Sequence, residues 1–205
     1  MTGTLCDVSE AEQVTRLFED VQTQLGGLDV LVNNAGIAGP TRPAEELEIA
    51  DWDRTLAVNL SGQFYCARLA IPVIRKAGGG SIINLSSVAG RMGYALRTPY
   101  AASKWGVVGL TQSLAKELGA AKIRVNAILP GIVAGARIDR VIEDRAKLRG
   151  LPWEEVEKEY LSQTSLGEFV SPQSVADMAV YLASEEGRSI SGQSLSVCGN
   201  THTLA

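Results

Sequence analysis

The sequence predicts an α/β protein: a doubly wound parallel sheet with helices on both faces. Three observations predict it. Short apolar runs alternate with longer helical stretches from one end of the chain to the other. The apolar runs are too short for helices and read as strands covered on both faces. The chain has 205 residues, 45% hydrophobic and 20% charged, which suits one domain spanning 1–205 with a sizeable core.

Each element follows in order. Thr2 to Cys6 is a short strand candidate. Ser9-Glu10-Ala11-Glu12 has the form of a capping box, in which hydroxyl and carboxylate satisfy opposite backbone donors. Val14, Leu17, Phe18, Val21 and Leu25 then recur at helical spacing, and Gly26-Gly27 stops the helix. Leu28 to Val32 is a buried strand. A long helix runs from about Asp51 to Lys76 and ends at Gly78-Gly79-Gly80; Ser81 to Leu85 is the next strand. A helix from about Pro99 to Leu118 and a strand from Ile123 to Leu129 follow. Arg137 to Leu161 is charged and helical, broken at Gly150-Leu151-Pro152. Ser171 caps a last helix that begins at Pro172 and runs through Ala183, and Gly192 to Val197 closes as a strand.

Composition excludes several classes of function. A net charge of −4 and the lack of any Lys/Arg cluster interleaved with aromatics argue against nucleic acid and anionic membrane as partners. Cys6, Cys66 and Cys198 form no C-x-x-C pair, and the only histidine is His202, so no metal site is expected. The three cysteines read as free thiols of a reducing compartment. No segment approaches the roughly 18 apolar residues of a membrane span, and no leader-like segment opens the chain, so the expected location is cytoplasmic.

The residues that could carry chemistry lie at strand ends and on helix faces. Tyr100 and Lys104 are four apart on a predicted helix and share one face. An ammonium beside a phenol favours the phenolate, which suits general acid–base work; the same pair also arises in ordinary helices. Ser87 stands thirteen residues before Tyr100, at the end of a strand, where open α/β sheets bind ligands. Ser86 and Ser87 either bond a substrate oxygen or simply form a turn. Asn59 lies among apolar neighbours, as a satisfied core amide or as a link in a proton relay. Asn33-Asn34-Ala35-Gly36 and Pro130-Gly131-Ile132-Val133 each follow a strand and form either ligand-lining loops or plain turns.

Taken in this order and spacing, these pieces resemble the short-chain dehydrogenase/reductase family. The matching motifs are Asp7-Val8, Asn33-Asn34-Ala35-Gly36, Val58-Asn59, Ser86-Ser87-Val88-Ala89-Gly90, Tyr100-Ala101-Ala102-Ser103-Lys104, Arg124-Val125-Asn126, Pro130-Gly131 and Ser191-Gly192-Gln193, which cover nearly the whole chain. The resemblance implies a Rossmann-type fold and hydride transfer between NAD or NADP and a ketone or secondary alcohol. It implies Tyr100 as acid/base, with Lys104 easing the proton off the phenol and holding the nicotinamide ribose. By the same pattern Ser87 holds the substrate oxygen and Asn59 supports a water-linked relay. Asp7 and Val8 would contact the adenine end, Asn34, Ala35 and Gly36 would line the cofactor, and Pro130, Gly131, Ile132 and Val133 would position the nicotinamide. The segment from Arg137 to Phe169 falls where the family carries a variable substrate lid, in which Trp153, Tyr160, Leu161 and Phe169 either line a pocket or pack. A small-molecule carbonyl or alcohol substrate and a homo-oligomer, dimer or tetramer, are the implied partners.

The sequence also departs from the pattern. The family opens with a strand, a glycine-rich phosphate loop and a helix; here the chain starts at what resembles the third strand, so the first β-α-β unit is expected to be missing. Without a central first strand, Leu28 to Val32 would expose an unpaired apolar edge. A partial copy of the domain is the expectation, with an inactive fragment acting through subunit association as the alternative to an enzyme. Gly135 stands where the family often has a Thr that contacts the carboxamide, and Cys198-Gly199-Asn200 replaces a more usual Asp-Gly-Gly.

Overall fold

The computed structural model describes residues 1–204, apart from the side chain of Leu148. Four strands form one parallel sheet in the order β1-β2-β3-β4: β1 Val30–Asn33, β2 Gly80–Leu85, β3 Ile123–Pro130 and β4 Ser194–Val197. The register sets Val32 beside Ile83 and Ile83 beside Asn126, so all strand ends point the same way. Parallel neighbours need crossovers, and helices supply them.

The helices are α1 Ala11–Leu25, α2 Ile49–Leu56, α3 Gly62–Lys76, α4 Thr98–Leu118, α5 Ala136–Arg149, α6 Trp153–Leu161 and α7 Pro172–Ala183. Side chains of a strand alternate between faces, and β2 shows the consequence. Ile82 packs with Ala67, Ala70 and Ile74 of α3 and with Leu114 and Leu118 of α4. Its neighbour Ile83 points the other way, into a cluster with Ile128 and Leu182 of α7. A third cluster joins Ile142 and Ala146 of α5 to Val156 and Tyr160 of α6, with Ile132 beneath them. Two-sided burial of this kind is the α/β architecture that the sequence predicts.

Four expectations need correction. Thr2 to Cys6 is not a strand; no neighbouring strand offers it a ladder, and Leu5 is fully exposed. The capping box does not form. The cap position belongs to Glu10, which makes no side-chain bond, because the Asp7 carboxylate takes both the Ser9 hydroxyl (2.7 Å) and the Ser9 N–H (3.0 Å). The long helix from Asp51 to Lys76 starts at Ile49 and is split by a π-helical turn, Ala57–Ser61. Strand ends shift by one or two residues, with β1 starting at Val30 rather than Leu28 and β4 at Ser194 rather than Gly192.

Other expectations hold. The Ser171 hydroxyl accepts the Ser174 N–H at 3.0 Å, with Pro172 in the first turn of α7. The far end of α7 is held by Arg124, whose guanidinium donates to the carbonyls of Leu182, Ala183, Ser184 and Gly187. Among the described residues β1 is an edge strand, and its Val32 is 46% exposed.

Candidate active site

A cleft of about 740 Å³ opens at the carboxyl ends of the strands. The order of the elements places the candidates there. Asn34 and Gly36 follow β1, Ser86 and Ser87 follow β2, Pro130 ends β3, and Gly131, Ile132 and Val133 follow it; all line the cleft together with Tyr100 and Lys104 of α4. Tyr160 of α6 closes the lid side, while Trp153 and Phe169 pack into the lid's own cluster.

Lys104 is buried, yet its ammonium donates to the Leu85 carbonyl at 2.8 Å and stands 5.7 Å from the Tyr100 ring centroid. Burial pulls its pKa down to about 8, with the Arg137 charge adding to the effect. The two serines divide their work. The Ser86 hydroxyl donates to the Lys104 carbonyl at 2.8 Å and so ties the end of β2 to α4. Ser87 accepts the Ala89 N–H at 3.2 Å at the start of a short 3₁₀ turn, Val88–Gly90, which leaves its own O–H for a ligand.

The Asn59 side chain bonds the loop after β1. Its Oδ1 accepts the Ile37 N–H at 2.8 Å, and its Nδ2 donates to the Ile37 carbonyl at 3.0 Å and to Ser103 Oγ at 3.1 Å. Both amide hydrogens are thus committed. The π turn that carries Asn59 is a local fault in the helix of the kind that gathers at functional sites. A Cβ on Gly36 would stand 3.2 Å from Asn59 Oδ1 and 3.7 Å from Lys104 Nζ, so a side chain there would intrude between the two groups.

Gly90 matters for the same joint. A Cβ there would meet the Lys104 carbonyl oxygen at 2.7 Å and press on Ser86 Oγ. Overpacking of this type costs about 1–3 kcal/mol. Gly90→Ala is therefore expected to lower the melting temperature by several degrees, roughly 2–4 °C per kcal/mol at this size, and to cut turnover about tenfold or more by displacing Lys104. Thermal denaturation and steady-state rates on one sample check both; a variant that melts and turns over like the parent refutes the account.

The remaining candidates fall elsewhere. Asp7 turns away from the cleft toward Arg54, 2.9 Å from its guanidinium; the Ser9 hydrogen bonds and this ion pair hold its carboxyl down at about 2. Val8 and Ala35 line a second pocket of about 150 Å³, which shares Val32 and Asn34 with the first. The loop after β3 has part of its backbone already engaged: the Gly131 N–H donates to Val197 at 2.9 Å, and the Ile132 carbonyl accepts the Val170 N–H at 2.8 Å.

Sequence reasoning missed two features. One is a buried amide network, in which Asn33 donates to Asn84 at 2.9 Å and Asn84 to Thr111 at 3.0 Å, while Gln63 donates to the Leu85 carbonyl at 3.1 Å. Asn84 inside an apolar strand was the available signal, since a buried amide demands partners. The other is Arg97, buried on the cleft wall three residues before Tyr100. A lone charge in the otherwise neutral stretch Gly93-Tyr94-Ala95-Leu96-Arg97-Thr98-Pro99 was its only mark.

Residues 2–202 match the family profile described as Enoyl-(Acyl carrier protein) reductase. The chain belongs to the short-chain dehydrogenase/reductase family. It is 35% identical over 194 residues to a D-beta-hydroxybutyrate dehydrogenase of Rhizobium meliloti (strain 1021), covering 94% of this chain and 75% of that protein. It is 38% identical over 195 residues to the 3-oxoacyl-(acyl-carrier-protein) reductase FabG of Thermotoga maritima, covering 94% and 74%. A crystal structure of a candidate short-chain alcohol dehydrogenase from Sinorhizobium meliloti 1021 superposes with a TM-score of 0.86 at 34% identity, over 96% of this chain and 74% of that one. The short-chain dehydrogenase/reductase fold is thereby shown, and the protein is an oxidoreductase that works with NAD or NADP. No helix among the described residues is long and apolar enough to cross a membrane.

The cleft fits the nicotinamide half of such a cofactor. Gly36 keeps space open beside Asn59 and Lys104, and Lys104 has spent one of its three hydrogens on a protein carbonyl. Lys104, Asn34, Gly36 and the segment from Pro130 to Val133 are the residues that would hold it.

Proposed function

We propose that the protein interconverts a secondary alcohol and a ketone on a small molecule, of 3-oxoacyl, sugar or polyol, or steroid-like type, in the cytoplasm. The meeting of Ser87, Tyr100 and Lys104 on one cleft at the carboxyl ends of the strands carries this reading. The bound nicotinamide supplies or accepts the hydride. The Tyr100 hydroxyl exchanges a proton with the substrate oxygen. Ser87 donates its free O–H to the same oxygen and orients the carbonyl. Lys104, held by the Leu85 carbonyl, sets its positive charge beside the phenol and offers its other hydrogens to the ribose hydroxyls. Asn59, with its amide hydrogens spent on Ile37 and Ser103, serves the relay by fixing the turn beside Lys104. Pro130, Gly131, Ile132 and Val133, with Asn34 and Gly36, line the main cleft and would hold the nicotinamide half, and Val8 and Ala35, which line the second pocket, would hold the adenosine end. Asp7 contributes through its pairing with Arg54.

Three free cysteines support the reducing compartment. Exposed Phe64 on α3 and Trp105 on α4 support self-association into a dimer or tetramer. The inactive-fragment alternative gains no support from the relatives named above, which carry dehydrogenase or reductase names.

Titration of the folded chain with NADH and NADPH, followed by ketone reduction at 340 nm, tests the reading. Saturable binding with turnover is expected. A folded chain that binds neither cofactor would overturn it.

A further inference from the structure

We infer that Arg97 and Tyr160 anchor a carboxylate on the substrate, so that the cleft takes a short oxo acid or hydroxy acid; the inference rests on the dehydrogenase reading above. Arg97 is only 7% exposed, and its guanidinium lies between the rings of Tyr94 and Tyr100, 5.2 Å from each centroid. Its Nη2 donates to the Ala38 carbonyl at 2.8 Å, while its Nε–H is buried without an acceptor. Among the described residues no carboxylate pairs with it. A guanidinium does not give up its proton, and a buried cation without a counter-ion is costly. Two aromatic faces offset only part of that cost.

A second unpartnered donor lines the same cleft. The Tyr160 hydroxyl is buried without a hydrogen bond of good geometry, and the Tyr94 hydroxyl is its polar neighbour. Burial, with Tyr94 adding to it, raises the Tyr160 phenol to about 12, which keeps it a donor at neutral pH. Arg97 and Tyr160 both line that cavity, and a buried N–H and a buried O–H without acceptors are the complement of an anion with several lone pairs.

The cleft's charge agrees. Its described lining holds three cations, Arg97, Lys104 and Arg137, and no Asp or Glu. The backbone agrees as well. Leu96 adopts φ +62°, a left-handed conformation that costs a branched residue energy, and its carbonyl is held there by the Arg42 N–H at 2.9 Å. Strain of this kind is tolerated where it aims a functional neighbour, here Arg97.

The fork of an arginine suits the two oxygens of a carboxylate. Because the guanidinium stacks on the Tyr100 ring, the carboxylate lies only a few bonds from the carbon that reacts at the Tyr100 hydroxyl. The carboxylate is a handle only. The ketone carbon gains the hydride and its oxygen the proton, as in the reaction above.

Acetoacetate and methyl acetoacetate differ mainly in the anion and form the test pair, with the N-acetylcysteamine thioester as a third substrate. In the parent protein the acid is expected to exceed the ester in kcat/KM by roughly 30-fold, the worth of a charge-assisted contact. Arg97→Met is expected to abolish most of that preference, and Arg97→Lys to keep part of it. The parent comparison needs no variant, so a poorly folded Arg97→Met leaves the test intact. An ester or thioester turned over as well as the acid would overturn the anion anchor while leaving the dehydrogenase reading standing. If no ketone is reduced, the dehydrogenase reading falls, and calorimetric titration with acetoacetate and its ester still decides the anchor. Binding of the acid alone, lost in Arg97→Met, supports it; equal binding of both, or binding of neither, overturns it.

Discussion

Tyr100→Phe is expected to lower kcat by about 10³ while leaving the affinity for NADH or NADPH within a few-fold of the parent. The substitution removes one oxygen and keeps the ring. The ring is what packs: Arg97 stands over it at 5.2 Å and Lys104 at 5.7 Å, and a phenylalanine retains both contacts. Folding and the cofactor wall are therefore preserved, and the loss falls on proton transfer. Ser87 would still orient the carbonyl, so residual turnover from positioning alone is expected. Steady-state rates with either cofactor, beside a fluorescence titration of the same sample, separate the two effects. Near-parental turnover in Tyr100→Phe would remove the acid/base role.

The order of elements was legible in the sequence because it depends on patterns a single chain displays. Ile82 and Ile83 had to be buried on opposite faces once Ser81 to Leu85 was a strand, and Ser171-Pro172 had to open a helix. The candidate site was legible for the same reason: strand ends converge, and Ser87, Tyr100 and Lys104 follow strands or sit on the adjoining helix. What stayed hidden depends on three-dimensional competition. Ser9 and Glu12 had the spelling of a capping box, but the Asp7 carboxylate and the Arg54 guanidinium, 45 residues from Ser9, took the Ser9 side chain. The split of the long helix at Asn59 follows from a bond to the Ile37 backbone, which no helical periodicity reports. Thr2 to Cys6 had strand composition but no neighbour, and a strand exists only as one of a pair. Arg97 was passed over because its partners, Ala38, Tyr94 and Tyr100, come from two loops and a helix that only the fold assembles.

Lys104→Met is expected to abolish most turnover and, at the same time, to make the protein more stable at neutral pH. Both effects come from the same burial. A pKa drawn down from 10.5 to about 8 means that the folded state disfavours the charged ammonium. The sign follows from proton binding. Between pH 8 and 10.5 the unfolded chain holds the proton more tightly, so stability rises with pH across that window, and the full penalty applies below it. A displacement of that size corresponds to roughly 3 kcal/mol. Methionine has similar length and no charge to desolvate. It loses the bond to the Leu85 carbonyl, which offsets about 1 kcal/mol. The remainder predicts a melting temperature several degrees higher at pH 7, with the gain shrinking as pH approaches 10. Cofactor affinity should fall in the same variant, because the ribose contact and the cation beside Tyr100 leave together. Melting curves of the parent and Lys104→Met from pH 6 to 10 supply the test. A variant less stable than the parent at pH 7 would mean that the ammonium contributes to the fold as well as to the chemistry, and that burial is not its dominant energetic term.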